Sequence, residues 1–148
     1  MSSLGPSALD FWVGSWDCDF SGGGGTNVIT AEMGGRVIVE RFHLDRPRPF
    51  TGMSVSTFHE HRGMWLQTWV DEDGAYWNFE EGTVDGDLCF RTPHPVDADN
   101  VFKRMVFSDI ADDTFNWRWE SSPDEESWTV NWELRYRRRT EPEPDRSA

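Results

Sequence analysis

The ten residues Trp128-Thr129-Val130-Asn131-Trp132-Glu133-Leu134-Arg135-Tyr136-Arg137 decide the fold class, because apolar and polar side chains alternate along them. Successive side chains of a β-strand point to opposite faces, so a period of two indicates a strand with one buried face. We therefore predict a strand over 128–137. Its inward side chains should be Trp128, Val130, Trp132, Leu134 and Tyr136.

Other segments alternate in the same way and predict more aromatic side chains on the inner face. Phe115, Trp117 and Trp119 alternate with polar residues, and so do Trp77 and Phe79. Two segments carry apolar bulk on both faces, so the period alone does not assign them. For 64–70 we place Trp65, Gln67 and Trp69 inside, with Gln67 as a polar anchor between two indoles. For 101–108, one face carries Phe102, Arg104 and Val106, and the other face carries Lys103, Met105 and Phe107.

Glycine, aspartate and asparagine interrupt the chain often enough to separate about ten short strands. Asp73-Gly74 and Asp85-Gly86 are strong hairpin signals, because Asp-Gly favours tight turns. Before the first strand, one short helical turn should carry Leu9, Phe11 and Trp12 onto the core. The predicted strands are 15–20, 26–33, 36–44, 52–60, 64–70, 75–81, 87–92, 101–108, 114–120 and 128–137.

The short links between these strands predict an all-β, up-and-down antiparallel barrel, with a two-sheet sandwich as the alternative. An open sheet of ten strands would expose two edges, and closure removes both. Strands that are neighbours in sequence are usually neighbours in space. We expect a single barrel domain over 1–137 and a disordered C-terminal tail over 138–148.

Composition excludes several classes of partner. The formal net charge of −13 argues against nucleic acid and against anionic membranes, which basic proteins bind. Cys18 and Cys89 match no metal or redox spacing. The first residues show no signal-peptide pattern, and no stretch is long and apolar enough for a membrane helix. A cytoplasmic protein is expected.

The segment Phe11-Trp12-Val13-Gly14-Ser15-Trp16-Asp17 resembles the opening of an uncharacterised bacterial family of calycin-like barrels, which begin with F-W-x-G-x-W. Its Gly14-Ser15-Trp16 is also similar to the G-x-W of lipocalins. Two later segments resemble the same family, Gly63-x-Trp65-x-Gln67-x-Trp69-x-Asp71 and Ser121-x-x-Asp124-x-x-x-Trp128. The resemblance extends to Arg137. It implies that Trp16 closes the barrel base and that Trp65, Gln67 and Trp69 share a characteristic strand, and it implies no catalyst.

An aromatic barrel interior predicts a cavity that holds one small hydrophobic molecule, because barrels of this size enclose about that much space. The alternative is that the aromatic rings pack against one another and leave no room. The predicted ligand-binding residues are Trp65, Gln67, Trp69, Trp77, Phe79, Arg104, Trp117, Trp119, Trp132 and His59.

Two other functions stay open at this point. Glu40 alternates with Arg41, and an inward Glu40 near Arg104 would form an acid–base couple suited to a cyclase or isomerase. The alternative is an ion pair on the protein surface, which would contribute little to stability. A third possibility is a homodimer formed through an exposed apolar strand face such as Leu66 and Val70.

The histidines are the only candidates for a metal or a haem. His59 and His61 point the same way in a strand, and His43 could be a third ligand. No carboxylate in sequence is placed to orient the rings, so we predict neither a metal nor a cofactor. The run Gly22 to Gly25 lacks the features of a phosphate loop and is expected to be a flexible hairpin loop.

Overall fold

The structure, a computed structural model, describes residues 4–140 and shows one closed barrel of ten antiparallel strands. Each strand pairs with its neighbours in sequence, and the first pairs with the last. The fold class is confirmed, and closure excludes the two-sheet sandwich. The strands are β1 Gly14–Phe20, β2 Gly23–Glu32, β3 Val37–Arg46, β4 Phe50–His59, β5 Met64–Asp71, β6 Tyr76–Val84, β7 Asp87–Arg91, β8 Phe102–Ser108, β9 Thr114–Ser122 and β10 Thr129–Arg138.

A short N-terminal segment plugs one end of the barrel, which we call the base. A 3₁₀ turn spans Asp10–Trp12, and the side chains of Leu9 and Trp12 are fully buried. The Trp16 indole N–H donates a hydrogen bond of 2.8 Å to the Trp12 carbonyl oxygen. Phe11 packs edge-on against Phe107. The base of the lumen is therefore filled with side chains.

Arg138 fastens this plug to the end of the last strand. Its guanidinium lies 4.3 Å from the centre of the Trp16 ring and donates hydrogen bonds to the carbonyl oxygens of Phe11 and Val13. The predicted tail begins at this residue, which is the last of β10. Residues 141–148 of that prediction lie outside the described residues.

The alternating pattern of the last strand holds only from Trp132 onward. The register of the pairing between β10 and β9 changes between Val130 and Trp132, where β10 contains one extra residue as a β-bulge. As a result Val130 is exposed, and Trp128 lies over the Arg104 guanidinium rather than in the lumen. The predicted inward positions of Trp128 and Val130 were wrong, since a bulge reverses the faces on its far side.

Three of the four glycines in the run lie in a strand rather than in a flexible loop, which corrects the prediction for those residues, whereas Gly22 lies in the turn before β2. Gly23, Gly24 and Gly25 open β2, and the pairing with β3 is irregular between the last two. A side chain at Gly25 would overlap the backbone carbonyl of His43, so the two strands approach too closely for any larger residue. Glycine is therefore needed here because it allows the backbones of β2 and β3 to approach closely.

Among residues 4–140, no helix has the length and apolar character that crossing a bilayer would require.

Candidate functional site

A cavity of about 180 Å³ lies in the half of the barrel away from the plug. Strands β3 to β6 and β8 to β10 all contribute to its wall. Partly exposed side chains such as Phe50, Asp71 and Trp77 form its rim. The lining residues are Glu40, Phe42, Phe50, Trp69, Asp71, Trp77, Phe79, Met105, Trp117, Trp119, Trp132, Leu134 and Tyr136. The lumen is thus solid near the base and open near the other end.

Six aromatic rings form a continuous circuit around this cavity, which we call the aromatic belt. In five neighbouring pairs the ring centres are 5.2 to 6.4 Å apart; two pairs meet edge to face, two are tilted and one is stacked. The circuit closes because Trp69 and Trp77 are register partners on β5 and β6. Such ring contacts fix the orientation of each side chain. The belt runs Trp69, Phe42, Trp132, Trp117, Trp119 and Trp77.

One carboxyl group faces the cavity from below the aromatic belt. Glu40 is buried on β3 and accepts a hydrogen bond of 2.6 Å from the Ser54 hydroxyl and one of 2.7 Å from the Asn27 amide nitrogen. The same nitrogen donates to the Tyr136 hydroxyl at 2.9 Å. The amide oxygen of Asn27 has no hydrogen-bond partner in the described residues. Three strands therefore position one acid.

Burial dominates the electrostatics of this acid. Desolvation raises the pKa of Glu40 above its ordinary value of 4.5, and the hydrogen bonds from Ser54 and Asn27 oppose that rise. The Tyr136 phenol and the Cys18 thiol face the same network, and burial raises the pKa of each. Burial therefore biases all three groups of the network toward their neutral forms.

Carboxylates also order the rim of the cavity. The Trp69 indole N–H donates to Asp71 at 2.9 Å, and the Trp77 indole N–H donates to Asp97 at 2.9 Å. Asp71 further accepts from two backbone amides of the following turn, those of Asp73 and Ala75. The rim is consequently both aromatic and negatively charged.

Most of the predicted ligand-binding residues lie together in this cavity. The aromatic belt and floor contain Trp69, Trp77, Phe79, Trp117, Trp119 and Trp132. Trp65 and Gln67 also point inward, but they lie deeper, in the packed part of the lumen. Trp65 donates its indole N–H to the Gly5 carbonyl, and Gln67 donates to Ser56. Neither touches the cavity.

Arg104 is on the outer face of the barrel, which corrects the prediction of an inward cationic anchor. It donates to Glu120 at 2.6 Å, and Arg118 donates to the same carboxylate at 2.8 Å. Register explains the error: Arg104 pairs with Glu120, whereas the inward Met105 pairs with Trp119. Arg104 is accordingly no partner for Glu40.

His59 does not line the cavity, which corrects its predicted place among the ligand-binding residues. The rings of His59 and His61 lie 6.4 Å apart, but His43 does not join them. The His59 Nδ1 accepts a hydrogen bond from the Arg62 backbone amide in the turn after β4. His43 pairs in register with Thr51, eight residues from His59 and thus about 25 Å away along the strand. His61 lies in the same turn as His59. Across residues 4–140 no cluster of His, Cys, Asp and Glu could hold a metal.

Several cavity residues were absent from the sequence-based set. Phe42 and Leu44 alternate with Arg41 and His43, and that pattern could have placed Phe42 beside Glu40 on the inner face. Asn27 shares a face with the buried Ile29, but nothing in sequence distinguishes it as a partner for Glu40. The others missed are Phe50, Asp71, Met105, Leu134 and Tyr136, of which the last two were predicted to point inward but not to bind a ligand.

The apolar face suggested for dimerisation is present on the outside of β5. Val70 is exposed, Leu66 is half-buried, and the neighbouring Val55 of β4 is exposed as well. These side chains adjoin one another through the pairing of β4 with β5. A homodimer through this face stays a prediction.

Comparison with known proteins returned no protein-family model and no curated protein that matches the chain.

Gly52 determines where one wall of the cavity stands. It lies on the inner face of β4, and a methyl group there would overlap the Trp69 ring. We expect Gly52→Ala to push that ring into the cavity and to lower the free energy of unfolding by about 1–3 kcal/mol. The measurement is urea unfolding, together with the shift of the Trp69 indole N–H signal in ¹H–¹⁵N NMR spectra.

Gly82 offers a matched control, because its added methyl group would meet the Cys89 and Arg91 side chains, which do not line the cavity. Gly82→Ala should leave the Trp69 signal in place. An unchanged Trp69 signal in Gly52→Ala would contradict the close packing described for this wall.

Proposed function

We propose that this protein binds a small, largely apolar molecule in the cavity bounded by the aromatic belt. The observation that carries the proposal is unfilled space beside oriented rings in an otherwise packed barrel. An apolar cavity of about 150 Å³ in another protein takes up benzene. The volume here is of that order, so the ligand is about the size of one substituted aromatic ring.

The polar groups of the cavity set the orientation of the bound molecule. Ligand sites are typically apolar with a few placed polar groups that fix direction and specificity. Glu40 is held by Ser54 and Asn27 at the floor, and Asp71 is held by Trp69 at the rim. A ligand with one polar group would place that group against Glu40 and its apolar part against the rings.

Substitutions that fill the cavity with a larger side chain should weaken ligand binding. Leu134 lines the cavity from β10, and Leu134→Phe adds volume there without adding charge. We expect toluene and phenol to shift the indole N–H signals of the belt tryptophans in the wild-type protein. Leu134→Phe should weaken that binding by about tenfold or more, which corresponds to about 1.4 kcal/mol.

Two further variants make this experiment decisive. Val130→Phe introduces the same residue on the same strand at an exposed position, and it should bind as the wild type does. Met105→Phe narrows the cavity from a different strand, β8, so the test does not depend on one variant folding. Equal binding by all four proteins, or no signal change with any probe, would contradict a cavity-bound ligand.

A second candidate function is proton-transfer catalysis of the cyclase or isomerase type in the same cavity. The observation that favours it is Glu40, an acid of raised pKa that faces an apolar space. Enzymes place such acids where a proton must move to or from carbon. Deuterium incorporated into a bound molecule from heavy water, and lost in Glu40→Gln with binding retained, would support catalysis.

We also propose a reducing compartment such as the cytoplasm as the site of action. Cys18 and Cys89 are both buried free thiols. They lie on different strands, β1 and β7, and persistent disulfides are rare in the cytoplasm.

A further inference from the structure

We infer that the cavity prefers a small organic cation, an ammonium group carried on one apolar ring, over neutral molecules or anions of the same size. The inference rests on the proposed binding function and deepens it by naming the charge of the ligand. Its grounds are the ring faces, the charges of the lining residues and the hydrogen-bond partners of Glu40.

The aromatic belt presents the electron-rich surfaces that attract cations. A cation within about 6 Å of an indole ring centre is stabilised by the ring quadrupole, and tryptophan is the best such ring. The belt already holds one ammonium group at its edge. The Lys103 Nζ lies 5.6 Å from the Trp77 ring centre and 6.0 Å from that of Trp119.

The charged side chains that line the cavity itself have a single sign. In the described part of the chain, residues 4–140, the lining includes two carboxyl groups, Glu40 and Asp71, and no lysine, arginine or histidine. Asp97 lies just outside, on the Trp77 indole N–H. Lys103 does not neutralise the cavity, because its ammonium group is within 3.8 Å of Asp97 and 3.7 Å of Asp99. An anion would find no counter-charge on these walls.

The side chains around Glu40 can form hydrogen bonds with both the neutral and the ionised form of its carboxyl group. As an ionised acid it accepts from Ser54 and Asn27, which is the arrangement observed. As a neutral acid it can donate to the Ser54 hydroxyl, or to Asn27 if that amide turns its unpartnered oxygen toward it. A bound ammonium group can therefore take the place of the proton on Glu40 without loss of hydrogen bonds.

The other titratable groups facing Glu40 do not compete for this exchange. They are the Tyr136 phenol from β10 and the Cys18 thiol from β1, and burial raises the pKa of both. Asp71 stands at the rim, where its carboxylate is held by three N–H donors. Binding of one ammonium group should accordingly be accompanied by proton release, and the proton should come from Glu40.

The test compares three probes that share one ring, namely benzylamine, benzyl alcohol and sodium benzoate. Each is titrated at pH 7 into the intact protein by calorimetry and by NMR of the indole N–H signals. We expect benzylamine to bind at least tenfold more tightly than benzyl alcohol, and benzoate to bind least. Repeating the benzylamine titration in buffers of different ionisation enthalpy measures the proton released.

The result separates this inference from the proposed function. If benzyl alcohol binds as tightly as benzylamine or more tightly, the cation preference is overturned and cavity binding stands. If none of the three probes binds, both the cation preference and the proposed binding function are contradicted.

Two variants test whether Glu40 is the source of the preference for a cation. Glu40→Gln should reduce benzylamine affinity at least tenfold, abolish the proton release and reduce benzyl alcohol affinity by a clearly smaller factor than benzylamine affinity. Glu133→Gln removes an exposed acid on β10 and should leave all three affinities unchanged. If both variants lower benzylamine affinity equally, the preference comes from the overall negative charge and the assignment to Glu40 is overturned.

Discussion

Replacing Trp16 with alanine is expected to lower the free energy of unfolding by about 3–5 kcal/mol, the range for deleting a large buried aromatic side chain. Trp16 is completely buried at the barrel base and packs edge to face against Phe115 and Tyr136. The substitution removes those contacts, together with the hydrogen bond to Trp12. It also removes the ring on which Arg138 stacks.

The position of Trp16 gives this loss a consequence beyond its own contacts. The side chain joins the first strand, the N-terminal plug and the last strand, and β1 and β10 are the pair that closes the barrel. Small domains are stable by about 5–15 kcal/mol in total, so this single change removes a large share. We expect the plug, residues 4–13, to lose hydrogen-exchange protection before the rest of the barrel does.

Urea unfolding followed by circular dichroism measures the effect on the whole fold. Trp128→Ala is the matched control, because Trp128 is only partly buried and contacts Arg104 on the outer surface. It should lower the free energy of unfolding by about 1 kcal/mol, the scale of one cation–π contact. Similar losses for the two variants would show that Trp16 has no special role in closing the base.

Side-chain alternation was sufficient to predict the barrel because most strands have one apolar and one polar face. The last strand shows this from Trp132 to Tyr136, where apolar residues are inward and charged ones outward. The same reasoning failed at Arg104, because the two faces of β8 differ little in apolar character. Long-range pairing with Trp119 and Glu120 decided which face turned inward, and a period of two contains no such information.

The polar network of the candidate site was even less accessible from sequence. Glu40 could be named because it alternates with Arg41, but its partners Asn27 and Ser54 lie on two other strands. Tyr136, which accepts a hydrogen bond from Asn27, lies on a third. Their approach depends on the register of β2, β4 and β10 in the closed barrel. Cavity volume is similarly a property of the whole fold, because the plug enters from one end only and leaves the other half of the lumen unfilled.

Glu40→Gln is expected to make the protein more stable than the wild type at neutral pH and similar to it in acid. Burial raises the pKa of Glu40 in the folded protein, whereas the unfolded chain keeps the ordinary value of 4.5. Between those two pKa values the folded state holds a proton that the unfolded state has lost. Wild-type stability therefore falls as pH rises through that window, and it is fully present below pH 4.5.

Glutamine has the shape of the neutral acid and cannot ionise, so the variant escapes this loss. Its amide can still accept from Asn27 and donate to the Ser54 hydroxyl, the two partners seen for Glu40. The difference in free energy of unfolding between variant and wild type should grow above pH 4.5. Its slope should approach about 1.4 kcal/mol per pH unit, the limit for one proton.

Urea unfolding at several pH values from 3.5 to 8 provides the comparison, with Glu133→Gln as a control for loss of one exposed acid on β10. If Glu40→Gln tracks the wild type across the whole range, ionising Glu40 costs the empty barrel nothing. A saturating cation should reverse the order of stability at neutral pH, because ligand that binds only the folded state stabilises it in proportion to its affinity. The acid would then lower stability in the empty cavity and raise it in the occupied one.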